Sequence, residues 1–190
     1  MESGKDLTVL TRFEGPISLR VTGAPPPTLG ADLSRLITRL RSEARIDIRP
    51  TTAENANITI DAVSRNQIRQ VLPQAACFVA PNVSSIKEYR KVQRTAQTNW
   101  SLMKTRTKVA IFLPNDASPQ EVRDCLHEEV AQALGPLNDL YRLPDSVFND
   151  DNVHTVLTGF DMMILRAYYD PALKSGMSRG QAVNALPGIF

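Results

Sequence analysis

The chain has 190 residues, two cysteines and a formal net charge of +2, and 42% of its residues are hydrophobic. This composition is typical of a globular protein, and the length predicts a single domain over residues 1–190. The arginines are scattered along the sequence. This predicts a solvated surface and excludes nucleic acid as the expected partner. No apolar run approaches the roughly 18 residues needed to cross a bilayer, so no transmembrane segment is predicted.

The first part of the chain, residues 1–114, is predicted to be rich in sheet. Residues 17–21 alternate apolar and polar side chains, which indicates a strand with one buried face. The spacing of Leu33, Leu36, Ile37 and Leu40 predicts an amphipathic helix packed on that sheet. Further short strands are predicted at residues 46–48, 57–63 and 77–79.

Three more features complete this part of the chain. Ser64 is predicted to cap a short helix that Pro73 ends. Residues 82–106 indicate no clear element, and Tyr89 and Trp100 are the expected anchors there. Residues 109–113 form the most apolar stretch of the chain, which predicts a strand in the centre of the sheet.

The two cysteines allow two interpretations. Cys77 and Cys125 are far apart and do not form a metal-type pair. They predict either two buried thiols in a cytosolic protein or one long-range disulfide in an oxidising compartment. The N-terminus lacks an apolar signal core, so the chain is either cytosolic or a mature exported form with a start Met.

The second part, residues 115–190, begins with the most secure local prediction. Ser118, Pro119 and Glu121 form a capping-box pattern with proline at the first helical position. Gly135, followed by Pro136, predicts the end of this central helix.

A helical projection sorts the side chains of the central helix. Its apolar stripe consists of Val122, Leu126, Val130 and Ala133. Glu129 falls at the edge of this stripe, and Glu128 and Gln132 follow on the same flank. His127 and Ala131 fall on the far side, where His127 is expected at the surface. A half-buried acid on the polar flank must be paired, hydrogen-bonded or protonated.

The polar flank matches the zinc motif H-E-x-x-H in a shifted register. Starting the motif at His127 fails because Ala131 takes the fifth position. If Glu129 takes the catalytic glutamate position, Glu128 and Gln132 take two histidine-ligand positions. Gly135 and Asn138 then match the glycine and third ligand of H-E-x-x-H-x-x-G-x-x-H.

On these residues the chain resembles the metzincin branch of the zinc peptidases. In that family a turn with methionine follows the third ligand, and here Ser146-Val147-Phe148 takes its place. A C-terminal helix follows, capped by Thr158. The resemblance implies an α+β, metzincin-like zincin fold. Its twisted mixed sheet packs on helices, and a central helix, a Met-turn-like loop and a C-terminal helix follow.

Residues 123–177 are more closely similar to a bacterial family of exported proteins of unknown function. The shared pattern is E-E-x-x-Q-x-x-G-x-x-N-D, then S-x-F-N-D-D, L-T-x-x-D, Y-D-P and G-M, with Asn138 and Asp139 as its N-D. This resemblance implies export to the periplasm or envelope. It favours the disulfide between Cys77 and Cys125.

The ligand positions depart from those of working zinc peptidases. Glu128, Gln132 and Asn138 or Asp139 replace imidazoles, and zinc sites favour imidazole and thiolate. No cofactor is therefore expected, although zinc, calcium or magnesium remain alternatives. Residues 149–152 are expected to form a solvated capping turn rather than a calcium loop. His154 gives only thin support for a site, and Met162 and Met163 are expected in the core.

These observations lead to three functional expectations. The first is a non-catalytic or atypical peptidase-like envelope protein. It would bind a peptide or protein partner in the former peptidase cleft, between the edge of the sheet and the 136–152 loop. The second is an active metal-dependent peptidase with oxygen ligands and Glu129 as general base. The third is a structural subunit of an envelope assembly.

Overall fold

The computed structural model describes residues 7–137, 143–149 and 154–189, and these residues contain one mixed sheet of five strands. The strands are β1 (Ile17–Gly23), β2 (Ile48–Pro50), β3 (Ile58–Val63), β4 (Phe78–Pro81) and β5 (Val109–Pro114). Their order across the sheet is β2-β1-β3-β5-β4. The pairs β1–β2, β1–β3 and β3–β5 are parallel, whereas the edge strand β4 is antiparallel to β5.

Helices cover both faces of this sheet. They are α1 (Leu29–Ser42), α2 (Arg65–Arg69), α3 (Ile86–Val92), α4 (Pro119–Leu134), α5 (Gly159–Tyr168) and α6 (Arg179–Ala185), with short 3₁₀ helices at Ala96–Thr98, Trp100–Leu102 and Leu186–Gly188. The larger core joins one face of the sheet to α1, α4 and α5. A smaller core joins the other face to α2 and α3.

The strand predicted at residues 109–113 is β5, which lies inside the sheet, although the middle strand of the five is β3. All six residues of β5 are buried, and the strand pairs with β3 on one side and β4 on the other. A strand covered on both faces has no reason to alternate apolar and polar residues, which explains its continuous apolar sequence. The prediction of a mixed α+β fold is therefore confirmed at this level.

The predicted helix starts are also confirmed. They could be predicted because each depends on contacts within four residues. Ser118 accepts a hydrogen bond from the backbone N–H of Glu121, and the Glu121 side chain accepts one from the backbone N–H of Ser118. The same reciprocal arrangement begins α2 at Ser64 and α5 at Thr158. Such boxes satisfy backbone donors that a helix start leaves open.

Residues 82–106 contain helix α3, which the sequence did not predict. Ser85 caps α3 by accepting from the backbone N–H of Glu88. Tyr89 packs against Phe78 with ring centroids 5.1 Å apart, and Trp100 is 7% exposed. The two aromatic anchors were thus identified correctly, although the helix between them was missed.

The prediction for Met163 was wrong. Met162 is 2% exposed, but Met163 is 46% exposed, and Phe160 beside it is 39% exposed. The buried side of α5 is set instead by Asp161 and Leu165, both 0% exposed. An acid occupies the inward position, so apolar character alone does not identify the buried residues of this helix. Among the described residues, no helix is both long and apolar enough to cross a membrane.

Candidate functional site

The polar flank of α4 forms the candidate site. Glu129 is 2% exposed and Gln132 is 1% exposed, while Glu128 is partly exposed. The Nε2 of Gln132 donates to the Oε1 of Glu128 over 3.4 Å. The Oε1 of Gln132 is buried and accepts no hydrogen bond from the described part of the chain. Helix α4 thus brings an acid and an amide, one turn apart, into direct contact beside a second acid.

Several predicted site residues cannot be placed in this geometry. Asn138 and Asp139, the predicted third-ligand positions, lie outside the described residues, as do residues 150–152 of the polar loop. Asn149 is described and is 9% exposed. His154 is described and makes contacts of its own. The part of the predicted ligand set that the structure describes is therefore Glu128 and Gln132.

His127 was predicted at the surface, and this prediction was wrong. It is 5% exposed, and its Nδ1 accepts the backbone N–H of Leu157 over 3.1 Å. Arg39 donates to the carbonyl of the same Leu157 over 2.6 Å. The segment that precedes α5 therefore covers the side of α4 that the helical projection assigned to solvent. His127 faces away from the candidate site and holds this segment in place.

Burial lowers the pKa of His127 from 6.5 to about 4, and the positive charge of Arg39 adds to the effect. The folded protein consequently keeps this imidazole neutral at a pH where an unfolded chain protonates it. Stability is fully present above pH 6.5 and falls as the pH drops toward 4. Protonation of Nδ1 would also remove the acceptor for Leu157.

The His127→Asn variant should therefore lose part of the acid sensitivity of the protein. Between pH 7 and pH 4.5, we expect the free energy of unfolding of the wild type to fall by about 2 kcal/mol more than that of the variant. Urea unfolding at the two pH values measures this difference. The same two proteins compared at pH 7 and pH 8 are the control, because the imidazole of His127 is largely neutral there in both the folded and the unfolded chain. Equal pH dependence of wild type and His127→Asn would contradict the assignment.

The turn at Ser146 is tied to the start of α5 by the buried carboxylate of Asp161. The Ser146 hydroxyl donates to Asp161 Oδ1 over 2.5 Å, and the backbone N–H of Val147 donates to Oδ2 over 3.3 Å. The backbone N–H of Thr158 donates to the same Oδ2 over 2.7 Å. Phe148 is 2% exposed and lies in the larger core. The turn is thus fixed to α5 by an acid that also caps this helix.

Arg106 is the main residue of this region that the sequence analysis missed. It is 1% exposed, whereas the scattered arginines were expected in solvent. Its guanidinium donates to the carbonyls of Gln132, Ala133 and Gly135 over 2.5, 2.7 and 2.6 Å. It also lies 4.8 Å from the centroid of the Trp100 ring. The Gln132 carbonyl also accepts the backbone N–H of Gly135 over 3.2 Å. The last carbonyls of a helix lack partners within it, so a cation is favoured at this end.

Gly135 ends α4 as predicted, but for a different reason. Its φ of 173° is extended and does not require glycine. A Cβ at this position would lie 2.2 Å from the ring of Tyr168 on α5. The glycine is needed because α5 approaches the end of α4 too closely for any side chain.

Cys77 and Cys125 form a disulfide with a Cα–Cα distance of 5.9 Å. The bond joins the residue before β4 to the middle of α4, one turn ahead of Glu129. The alternative of two buried thiols is therefore excluded. The edge of the sheet is covalently fixed beside the polar flank.

A cavity of about 320 Å³ borders the disulfide and the polar flank. Its charged lining residues are Arg65, Arg69, Glu121, Asp124 and Glu128. Its remaining walls come from the segment before β4, the end of β5 and the start of α4. Glu128 belongs to both the cavity and the polar flank, so the two are continuous.

The donor set on α4 does not suit zinc. The groups on the polar flank are carboxylate and amide, and zinc sites in proteins are built mainly from imidazole and thiolate. His127 is directed to Leu157. Within residues 7–137, 143–149 and 154–189, no group of three or more His, Cys, Asp or Glu side chains could hold a metal ion.

The sheet, the long helix α4 and its buried polar flank define a mixed α+β domain with a helix-borne polar site. The chain belongs to the family described as Protein of unknown function (DUF2927), whose model matches residues 1–188. No curated protein matches the chain. The predicted membership of a family of unknown function is confirmed, whereas the metzincin-like core and its motif stay predictions.

Proposed function

We propose that this protein is a peptidase-like domain that binds a peptide or protein segment in its cleft and does not use zinc chemistry. The observation that carries the proposal is the arrangement of α4. The polar flank consists of Glu128, Glu129 and Gln132. The one histidine of this helix, His127, is buried on another side, where it accepts a hydrogen bond from Leu157.

The zincin-like part of the proposal is supported by the order of the elements. A mixed sheet precedes a long helix that ends at a glycine, and a turn at Ser146 leads to a capped helix. This is the sequence of elements that the resemblance to metzincins implies. Phe148 stands at the position of the turn methionine and packs in the core under this region.

The peptide-binding part of the proposal is supported by the edge of the sheet. No other described strand pairs with the outer side of β4. A small cavity of about 150 Å³ is lined by all four residues of β4 together with Tyr89 and Trp100. The edge of a sheet can accept an extended peptide as an additional strand through backbone hydrogen bonds. The disulfide holds this edge next to Glu128 and Glu129.

We propose that the protein is exported to the periplasm or envelope. The disulfide between Cys77 and Cys125 supports it, because such bonds persist in oxidising compartments and are rare in the cytosol. Detection of the oxidised form in a periplasmic fraction of the native organism tests this point directly.

A displayed random-peptide library, selected against the purified oxidised protein, tests the binding function. We expect peptides with a shared motif, and we expect Glu128→Gln to weaken their binding at least about tenfold, or 1.4 kcal/mol. Glu128 borders both the polar flank and the cavity, and hydrogen bonds to a charged group contribute about 1.5–3 kcal/mol. Glu54→Gln removes an exposed acid elsewhere and is the matched control.

Three outcomes would overturn the proposal in different ways. Stoichiometric zinc bound at the polar flank, measured by elemental analysis, would contradict the zinc-free site. Cleavage of selected peptides that is lost in Glu129→Gln would favour the metal-dependent hydrolase. Binding that is unchanged in Glu128→Gln but lost in Met163→Glu would favour an assembly subunit that uses the exposed residues of α5.

A further inference from the structure

Positive charge is concentrated in one part of the fold. The whole chain has 22 lysines and arginines against 20 acids, but residues 64–115 contain nine of these bases and only one acid, Glu88. This stretch includes the helices α2 and α3 and the edge strand β4. The nearly neutral total therefore conceals an uneven distribution of charge over the surface.

Helix α3 directs its positive side chains to solvent. Its apolar side packs in the smaller core on the sheet. Positions i, i+3 and i+4 share one face of a helix, and from Lys87 onward these positions of α3 are all basic. A fourth exposed base follows the end of the helix. We define the basic face by its exposed members, Lys87, Arg90, Lys91 and Arg94.

The charges of the basic face are not compensated by carboxylates within the described part of the chain. Glu88, the one acid of α3, pairs instead with Lys108, whose Nζ lies 3.2 Å from Oε1 and 3.3 Å from Oε2. Nη2 of Arg90 donates over 2.6 Å to the neutral Oε1 of Gln70 on the neighbouring helix end. None of the four bases forms an ion pair with a described residue. The face therefore keeps its full positive charge.

An exposed apolar side chain lies close to the basic face. Leu102 is 62% exposed, more than any other large apolar side chain that the structure describes. The hydroxyl of Thr98 donates over 3.1 Å to the carbonyl of Val92, the last residue of α3. Four residues span at most about 14 Å, so the backbone of Leu102 stays within about that distance of Thr98 and of the end of α3.

The combination of charge and apolar surface fits an anionic lipid surface better than a nucleic acid. Clusters of four to eight lysines and arginines attract anionic lipid headgroups, and apolar side chains beside them enter the headgroup boundary. Single-stranded nucleic acids are bound largely by exposed aromatic rings that stack on the bases. The rings of this region pack inward instead, because Tyr89 contacts Phe78 and Trp100 is 7% exposed.

We propose that the basic face and Leu102 form a docking surface for a membrane that contains anionic phospholipids. The lysines and arginines contact the lipid phosphates, and Leu102 enters the boundary between headgroups and acyl chains. Binding of this kind is reversible and depends on salt, because the charges act through water. The inference goes beyond the peptide-binding cleft and does not depend on it.

Co-sedimentation with lipid vesicles tests the docking surface on the purified, oxidised protein. One set of vesicles contains phosphatidylcholine with phosphatidylglycerol, and the matched set contains phosphatidylcholine alone. We expect saturable binding to the anionic vesicles and at least about tenfold weaker binding to the neutral ones. Raising the salt concentration from about 0.05 M to about 0.5 M should weaken binding to the anionic vesicles at least about tenfold.

Variants of exposed residues assign the binding to this face. Lys87→Gln/Lys91→Gln should weaken binding to anionic vesicles at least about tenfold, because each base near such a surface contributes roughly fivefold. Arg41→Gln/Arg166→Gln removes the same charge from exposed positions of α1 and α5 and should stay within about twofold of the wild type. Lys87→Arg/Lys91→Arg keeps the charge and should bind as the wild type. Leu102→Ser should weaken binding most at high salt, where the charges are screened.

Several results would overturn the proposal. Equal binding to neutral and anionic vesicles, or an equal loss in Arg41→Gln/Arg166→Gln, would show that the basic face is not the contact. Stronger binding to duplex DNA or to polyglutamate than to anionic vesicles, lost in Lys87→Gln/Lys91→Gln, would replace the lipid by another anionic partner. Absence of binding to anionic vesicles at low salt would remove the membrane surface and leave the proposed peptide binding intact.

Discussion

Replacing Arg106 with methionine is expected to lower the free energy of unfolding by about 3–5 kcal/mol, because the end of α4 would lose its partners. The guanidinium is buried and donates to three backbone carbonyls at this helix end. Methionine has a similar length but donates no hydrogen bond. Each buried carbonyl that loses its donor lowers the free energy of unfolding by about 1–3 kcal/mol when no water takes the place of the donor.

The loss of stability can be separated from a general effect of removing an arginine. Arg49→Met is the matched control, since Arg49 is 67% exposed and pairs only with Asp47 in the described part of the chain. We expect its effect to stay within about 0.5 kcal/mol. Arg106→Lys keeps the charge and should fall between the two, because one ammonium cannot match the planar guanidinium. A loss below 1 kcal/mol in Arg106→Met, measured by urea unfolding, would contradict this account.

Arg106 also links the stability of the domain to the candidate site. One of its acceptors is the carbonyl of Gln132, whose side chain contacts Glu128 on the polar flank. The same guanidinium stacks on Trp100, which lines the cavity along β4. A variant that loosens the end of α4 should therefore disturb both sides of the proposed cleft.

The parts of the fold that follow from short-range rules could be predicted from the sequence. The capping box at Ser118 needs only Glu121 three residues later, and the burial of β5 follows from six consecutive residues without a charge. The contact of Glu128 with Gln132 follows from the helical period alone. Each of these depends on neighbours in the chain or on one element.

The parts that depend on distant segments could not be predicted. The helical projection of α4 assumed one buried side, but the segment at Leu157 covers a second side and buries His127. Nothing in the local sequence distinguishes Arg106 from the other arginines, because its acceptors at the end of α4 are distant in the chain. Met163 is exposed although it was expected in the core, and the inner side of α5 holds Asp161, which binds the distant turn at Ser146.

The disulfide should have an effect of similar size to that of Arg106. Cys77 and Cys125 are 48 residues apart in sequence, and closing a loop of this length in the unfolded chain corresponds to about 4 kcal/mol. We expect reduction of the bond to lower the melting temperature by roughly 10 °C. Thermal unfolding of the oxidised and reduced wild type measures this effect directly.

Comparison with Cys77→Ala/Cys125→Ala separates the crosslink from side-chain packing. Both cysteines are less than 10% exposed, so the double variant loses the crosslink and also the buried sulfur atoms. The reduced wild type loses only the crosslink and should be the more stable of the two, with the difference reflecting packing. A reduced wild type within 1 kcal/mol of the oxidised protein would show that the crosslink contributes little.

The position of the disulfide makes its loss a test of the cleft as well as of stability. The bond fixes the start of β4 to α4 next to Glu128, and its sulfur atoms form part of the cavity wall. Reduction should therefore weaken binding of a selected peptide at temperatures where the fold remains intact. Arg106→Met loosens the C-terminal end of α4 instead and leaves this crosslink in the middle of the helix in place. If the reduced protein loses stability but binds the peptide as strongly as the oxidised protein, the binding surface lies away from β4 and α4.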